Sequence, residues 1–114
     1  MQRKDRIILQ KILEATDKAV KILANVSKEE FLESEVLNLA MGMSIIRIGE
    51  LVKTLSMEFR QKNSQVAWRD IAGFRDVAAH KYEIIDMKEL YDTVKEDFPE
   101  LKLQIEKILE SEET

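Results

Sequence analysis

The chain has no cysteine, one proline, three glycines and a single histidine in 114 residues. Without cysteine there is no disulfide, no thiolate nucleophile and no cysteine-held zinc. With one histidine, a histidine-rich metal site is excluded too. So few turn-forming residues, beside 35 % charged residues, point to long helices rather than many turns. No apolar run approaches the roughly 20 residues that span a bilayer. Met1–Arg6 is charged and the apolar residues after it are interrupted by Gln10 and Lys11, unlike a secretory signal. These absences lead us to expect a cytoplasmic protein without membrane association, folded as one domain over residues 1–114.

The net charge of −4 argues against a protein that coats nucleic acid nonspecifically. That charge is unevenly spread. Residues 1–82 carry 14 Lys and Arg against 11 Asp and Glu, whereas residues 83–114 carry 4 against 11. A local basic site on an acidic protein fits this asymmetry, and the acidic last third reads as a solvated face.

Apolar positions Ile8, Ile12, Ala15, Ala19, Ile22 and Val26 recur at helical spacing and predict a first helix over 2–25, with Leu9, Leu13, Val20 and Leu23 widening its face. Ser27-Lys-Glu-Glu30 is a capping box that should start a short helix carrying Phe31 and Leu32 inward. A helix from Glu35 to about Gln61 follows. Between Val36 and Val52 its polar residues Asn38, Ser44, Arg47 and Glu50 scatter around the helix instead of forming one polar face. Such a helix is buried on more than one side, either by its own chain or by a second subunit. Met41, Met43 and Ile45–Ile46 suit a subunit surface, with Gly42 and Gly49 allowing close approach. Asp86 is a second cap, Leu90, Val94 and Phe98 line the next stretch, and Pro99 forces a kink or restart with Asp97 as its cap. Leu101, Ile105 and Ile108 carry the stripe on to a fraying end at 111–114. The expected fold is all-α, an antiparallel bundle of four to five helices.

Chemistry concentrates in Trp68-Arg-Asp-Ile-Ala-Gly-Phe-Arg-Asp-Val-Ala-Ala-His-Lys-Tyr82. On one helix Asp76 and His80 are four apart, Arg75 lies about 140° from His80, and Tyr82 returns to within about 20° of Arg75. His80 has two readings. It is either a helix histidine hydrogen-bonded to Asp76, or a general acid–base whose ordinary pKa of about 6.5 suits proton transfer. An arginine nearby would bind phosphate. A histidine phosphotransfer module is disfavoured, because those place a glycine shortly after the histidine and none follows Gly73 here.

Arg75, four residues, His80, one residue, Tyr82 resembles the R-x4-H-x-Y signature of the HEPN superfamily, specifically the HepT-like ribonuclease toxins. Trp68–Phe74, Phe31-Leu32 with Ser34, and Ile48-Gly49-Glu50 are similar to its other landmarks. Asp76 stands where those proteins often carry Asn, and Glu83 where an aromatic is common. The resemblance implies a homodimer and an endoribonuclease that needs no metal or other cofactor. Arg75 and His80 would be its catalytic residues, with Asp76, Glu50 and Lys81 in support. RNA would be cut through its own 2′-hydroxyl at a cleft between subunits. The resemblance further implies a toxin–antitoxin pairing, in which a MntA-like nucleotidyltransferase antitoxin transfers AMP to Tyr82. The alternative is a non-catalytic HEPN-like dimer that binds RNA, nucleotide or such a partner.

Overall fold

The computed structural model describes residues 1–113, and no strand occurs among them. α1 runs Arg3–Ile22, α2 Lys28–Glu33, α3 Glu35–Thr54, α4 Met57–Lys62 and α5 Trp68–His80. A 3₁₀ turn at Tyr82–Ile84 leads to α6, Met87–Asp92, and a π-helical turn at Thr93–Asp97 joins it to α7, Phe98–Glu113. The all-α expectation agrees with this. Four longer helices, α1, α3, α5 and α7, form the frame, and the short α2, α4 and α6 connect them.

α1 sits between α3 and α7. Its Leu9, Ile12, Ala19 and Leu23 are fully buried against Met41, Ile45, Ile48 and Val52 of α3 and Leu101, Ile105 and Ile108 of α7. Neighbouring long helices run antiparallel. Asp17 meets Lys102 at 2.9 Å, while past the end of α1 the Ala24 carbonyl accepts from Lys95 in the π turn before α7, so α7 runs antiparallel to α1. Ile22, expected in the core stripe, is 45 % exposed, because the helix ends there and Leu23 takes the inward position.

The caps explain where the chain turns. Ser27 and Glu30 form the expected reciprocal capping box, with the Glu30 N–H donating to Ser27 Oγ at 3.1 Å. Asp86 caps α6 by accepting from the Lys88 and Glu89 N–H groups. The helix expected to continue to Gln61 instead breaks after Thr54. Ser56 caps a new helix by accepting from the Phe59 N–H, and its own N–H and hydroxyl donate to Asp5 at 2.8 and 2.7 Å. Asp5 is 1 % exposed, so this turn is fixed from inside by the start of α1. Asp97 is not a cap either. Helix continues across it, and the wider π turn just before Pro99 accommodates the missing N–H and the ring that would press on the preceding turn. α7 stays helical to Glu113, past the start of the expected fraying, and Thr114 lies outside the described residues.

Candidate active site

The site is built on the pairing of α3 with α5, the most extensive helix contact in the molecule. Two glycines set its closeness. A Cβ on Gly49 would lie 2.1 Å from Arg75 Cβ and 2.6 Å from Arg75 Cγ, and one on Gly42 would lie 2.9 Å from Tyr82 Cε1. Seven residues back along α3 match seven forward from Arg75, as an antiparallel pair requires. Gly42 and Gly49 therefore serve contact within the chain, not the subunit surface expected of them. Met41 and Ile45, at 0 % and 1 % exposed, are likewise core and not a subunit surface.

Arg75 lies in this seam with its side chain 16 % exposed. One end of its guanidinium pairs with Glu50 and the other donates to Asp76 Oδ1 at 3.0 Å, while its Nε is buried without a partner among the described residues. Asp76 is shared. Lys53, one turn beyond Glu50 on α3, places Nζ 2.5 Å from the same oxygen. Lys53 first and Arg75 second hold the Asp76 carboxyl below the usual carboxylate range, so it is ionised at neutral pH. No hydrogen bond from His80 to Asp76, one of the two readings above, is formed among the described residues; Asp76 Oδ1 accepts from the two cations instead.

His80 is the last residue of α5. It is exposed, and its ring makes no hydrogen bond or ion pair among the described residues. Lys81 follows as an exposed C-cap, its N–H closing on the Val77 carbonyl at 2.8 Å. Tyr82 lies past the end of the helix yet still faces α3 as Arg75 does, because Gly42 and Gly49, on which the two pack, share one face of α3. It begins the 3₁₀ turn, and its ring is half-buried over Gly42. Burial, with Glu83 and Glu35 adding to it, pushes the phenol above its ordinary pKa.

Beside this seam α3 exposes a stripe at helical spacing, Val36 at 76 %, Leu39 at 52 % and Met43 at 63 %. The scattered polarity of α3 thus has two causes. Its inner face is wrapped by α1 and α5, and its outer face carries this apolar stripe in its first half and exposed Arg47 and Glu50 in its second. A broad hollow lies elsewhere. It is an open groove of about 930 Å³ on the opposite flank of α5, floored by Ile71, Phe74 and Leu101. Asp70, Asp86, Glu89, Asp97 and Glu100 line it against one cation, Arg69, which is the wrong charge for a phosphate backbone.

Lys53 is the residue that reading the sequence missed. It falls in an apolar helix with nothing to mark it until the register of α3 on α5 is known. Among the described residues no three His, Asp or Glu side chains are grouped to hold a metal ion, and no helix is long and apolar enough to cross a membrane.

The family model for ribonuclease HepT-like proteins matches residues 12–108. The chain belongs to that family. Among its relatives, the protein of Caldanaerobacter subterraneus subsp. tengcongensis named "Putative RNase" is 36 % identical over 94 % of this chain and 96 % of its own. The "Probable ribonuclease HepT" of Thermococcus cleftensis is 32 % identical over 95 % of this chain and 98 % of its own. No solved structure gives a significant match.

Proposed function

We propose that the chain is a metal-independent endoribonuclease that works as a homodimer and serves as the toxin of a toxin–antitoxin pair. The observation that carries this reading is that a seam-bound Arg75 and an exposed, unengaged His80 lie five residues apart on α5. RNA supplies the nucleophile. Its 2′-oxygen attacks the adjacent phosphorus while a base takes the 2′ proton. The bond to the 5′-oxygen breaks as an acid protonates it, leaving a 2′,3′-cyclic phosphate. One imidazole performs one of these transfers at a time, so two His80 side chains from paired subunits fill both roles. Arg75 stabilises charge on the phosphoryl oxygens. Val36, Leu39 and Met43 are the apolar surface that would pair the subunits.

The test is cleavage of RNA by the purified protein in excess chelator, with the product ends identified. His80→Ala should lower the rate by about 10²–10⁴ while keeping helical content. Full activity of that variant, or activity only on adding a divalent metal, overturns the mechanism.

Control at Tyr82 belongs to the same reading. A nucleotidyltransferase partner would join the Tyr82 oxygen to the α-phosphorus of ATP, with pyrophosphate leaving and the phenolic proton passing to a base of the partner. The raised pKa of the phenol means that base is needed. A second reading has one observation in its favour, since Glu50 and Asp76 both already occupy Arg75. It is a non-catalytic dimer that binds RNA, nucleotide or the partner. RNA bound but never cut, at any pH, would support it.

A further inference from the structure

We infer that Lys53 is a positioning residue for Arg75: by sharing the Asp76 carboxylate, it loosens that acid's hold on the guanidinium and leaves Arg75 able to exchange it for a phosphate. The inference rests on the reading of Arg75 as the phosphate-binding group.

The geometry is a short relay. Asp76 Oδ1 receives Lys53 Nζ at 2.5 Å and Arg75 Nη1 at 3.0 Å, so one oxygen is divided between two cations from different helices. Glu50 holds the far end of the same guanidinium. These four side chains carry two positive and two negative charges and sum to zero. Without Lys53 they sum to −1, and the only remaining partner for Asp76 is Arg75. An incoming phosphate would then have to displace a carboxylate bound to nothing else, from a site of its own sign. With Lys53 in place Asp76 keeps a partner when Arg75 turns to substrate. Lys53 is 39 % exposed and Glu50 50 %, so both can move without opening the core.

If Lys53 acts only through Asp76, removing the charge of Asp76 should make Lys53 dispensable, so the two positions must depend on each other.

A double-mutant cycle tests this with the full chain and an uncleavable 2′-O-methyl RNA oligonucleotide, so that no chemistry enters the readout. Lys53→Met should weaken binding by about tenfold at low salt with Asp76 present, and by less than about twofold beside Asp76→Asn. Lys53→Gln should reproduce both results, and circular dichroism checks that each variant is folded. An equal loss in both backgrounds would mean that Lys53 touches the phosphate itself and would overturn the inference. No loss in either background, or no binding by the wild type, would overturn it as well. Cleavage by the wild type with no coupling in the cycle sinks the inference alone. Coupling without any cleavage sinks the ribonuclease reading and leaves a phosphate site tuned by Lys53.

Discussion

The two flanks of α5 differ in almost every physical respect. On one, the helix lies against α3 so closely that Gly49 has no room for a methyl group, and each charge faces an opposite one. On the other it opens onto a broad groove where five carboxylates face one arginine. Gly73, on the open side, has nothing within 4 Å of where its Cβ would be. A single helix of 13 residues thus carries a tight, charge-balanced seam and a loose, acidic hollow. Size alone would choose the hollow as the working site. On the ribonuclease reading proposed above, charge and chemistry favour the seam instead, because a phosphate would need a guanidinium and a proton carrier more than it needs volume.

Matched substitutions break the comparison most directly. Gly49→Ala puts its methyl group on Arg75 Cβ and near the Ile71 carbonyl, atoms that cannot swing away. It should destabilise the fold by about 1–3 kcal/mol even though alanine is the better helix former. Gly73→Ala meets no such obstacle and should stabilise by about 0.5–1 kcal/mol. Denaturant unfolding of the two variants reads both signs. Equal effects would mean that the helices are not packed as closely as their backbones imply. Lost RNA cleavage should accompany Gly49→Ala alone, since only that substitution moves Arg75.

Much of this was legible in the sequence, and what was not has a common cause. Periodicity and caps placed α1, α2 and α5, because Ser27–Glu30 and the Leu and Ile spacing are local signals. The Arg75–His80 motif was also local. The break at Ser56 was not, since its anchor, Asp5, is 51 residues away. Lys53 was missed for the same reason, being 23 residues from Asp76. The glycines were seen to permit close approach, but the partner helix was misjudged. Spacing shows that a face is small, not what lies against it. Tyr82 does face α3 as Arg75 does, although the helix whose extension placed it there ends at His80, so the side was legible and the turn that reaches it was not.

Charge on the open flank offers a smaller contrast. Glu89→Gln with Asp97→Gln removes two of the groove's acids. Stability should change by no more than about 0.5 kcal/mol, as for most surface substitutions. RNA cleavage rate at fixed salt should stay within about twofold of the wild type, because those carboxylates are far outside the seam and screened. A sharp rise in cleavage would instead place RNA in the groove, and the comparison between flanks would reverse.

The smallest effect concerns Tyr82, where the close seam meets solvent. Burial comes first among the causes raising its phenol above the ordinary value, with Glu83 and Glu35 behind it. A folded-state pKa above the unfolded one means that the protonated ring contributes stability in full below its ordinary titration range. That contribution is lost as pH rises through the folded value. Tyr82→Phe cannot ionise and should therefore lose less stability than the wild type in strongly alkaline solution, while matching it at neutral pH. Gly42→Ala tests the cause. Its methyl group would press on Cε1 of the ring at 2.9 Å, and the ring, unlike a backbone, can tilt outward. More water then reaches the hydroxyl, and the phenol should titrate closer to its ordinary value. The ultraviolet difference spectrum of phenolate follows this in a Tyr91→Phe background, which leaves Tyr82 as the only tyrosine. A titration unmoved by Gly42→Ala would mean that the two glutamates, and not the packing of the ring on α3, set the ionisation of Tyr82.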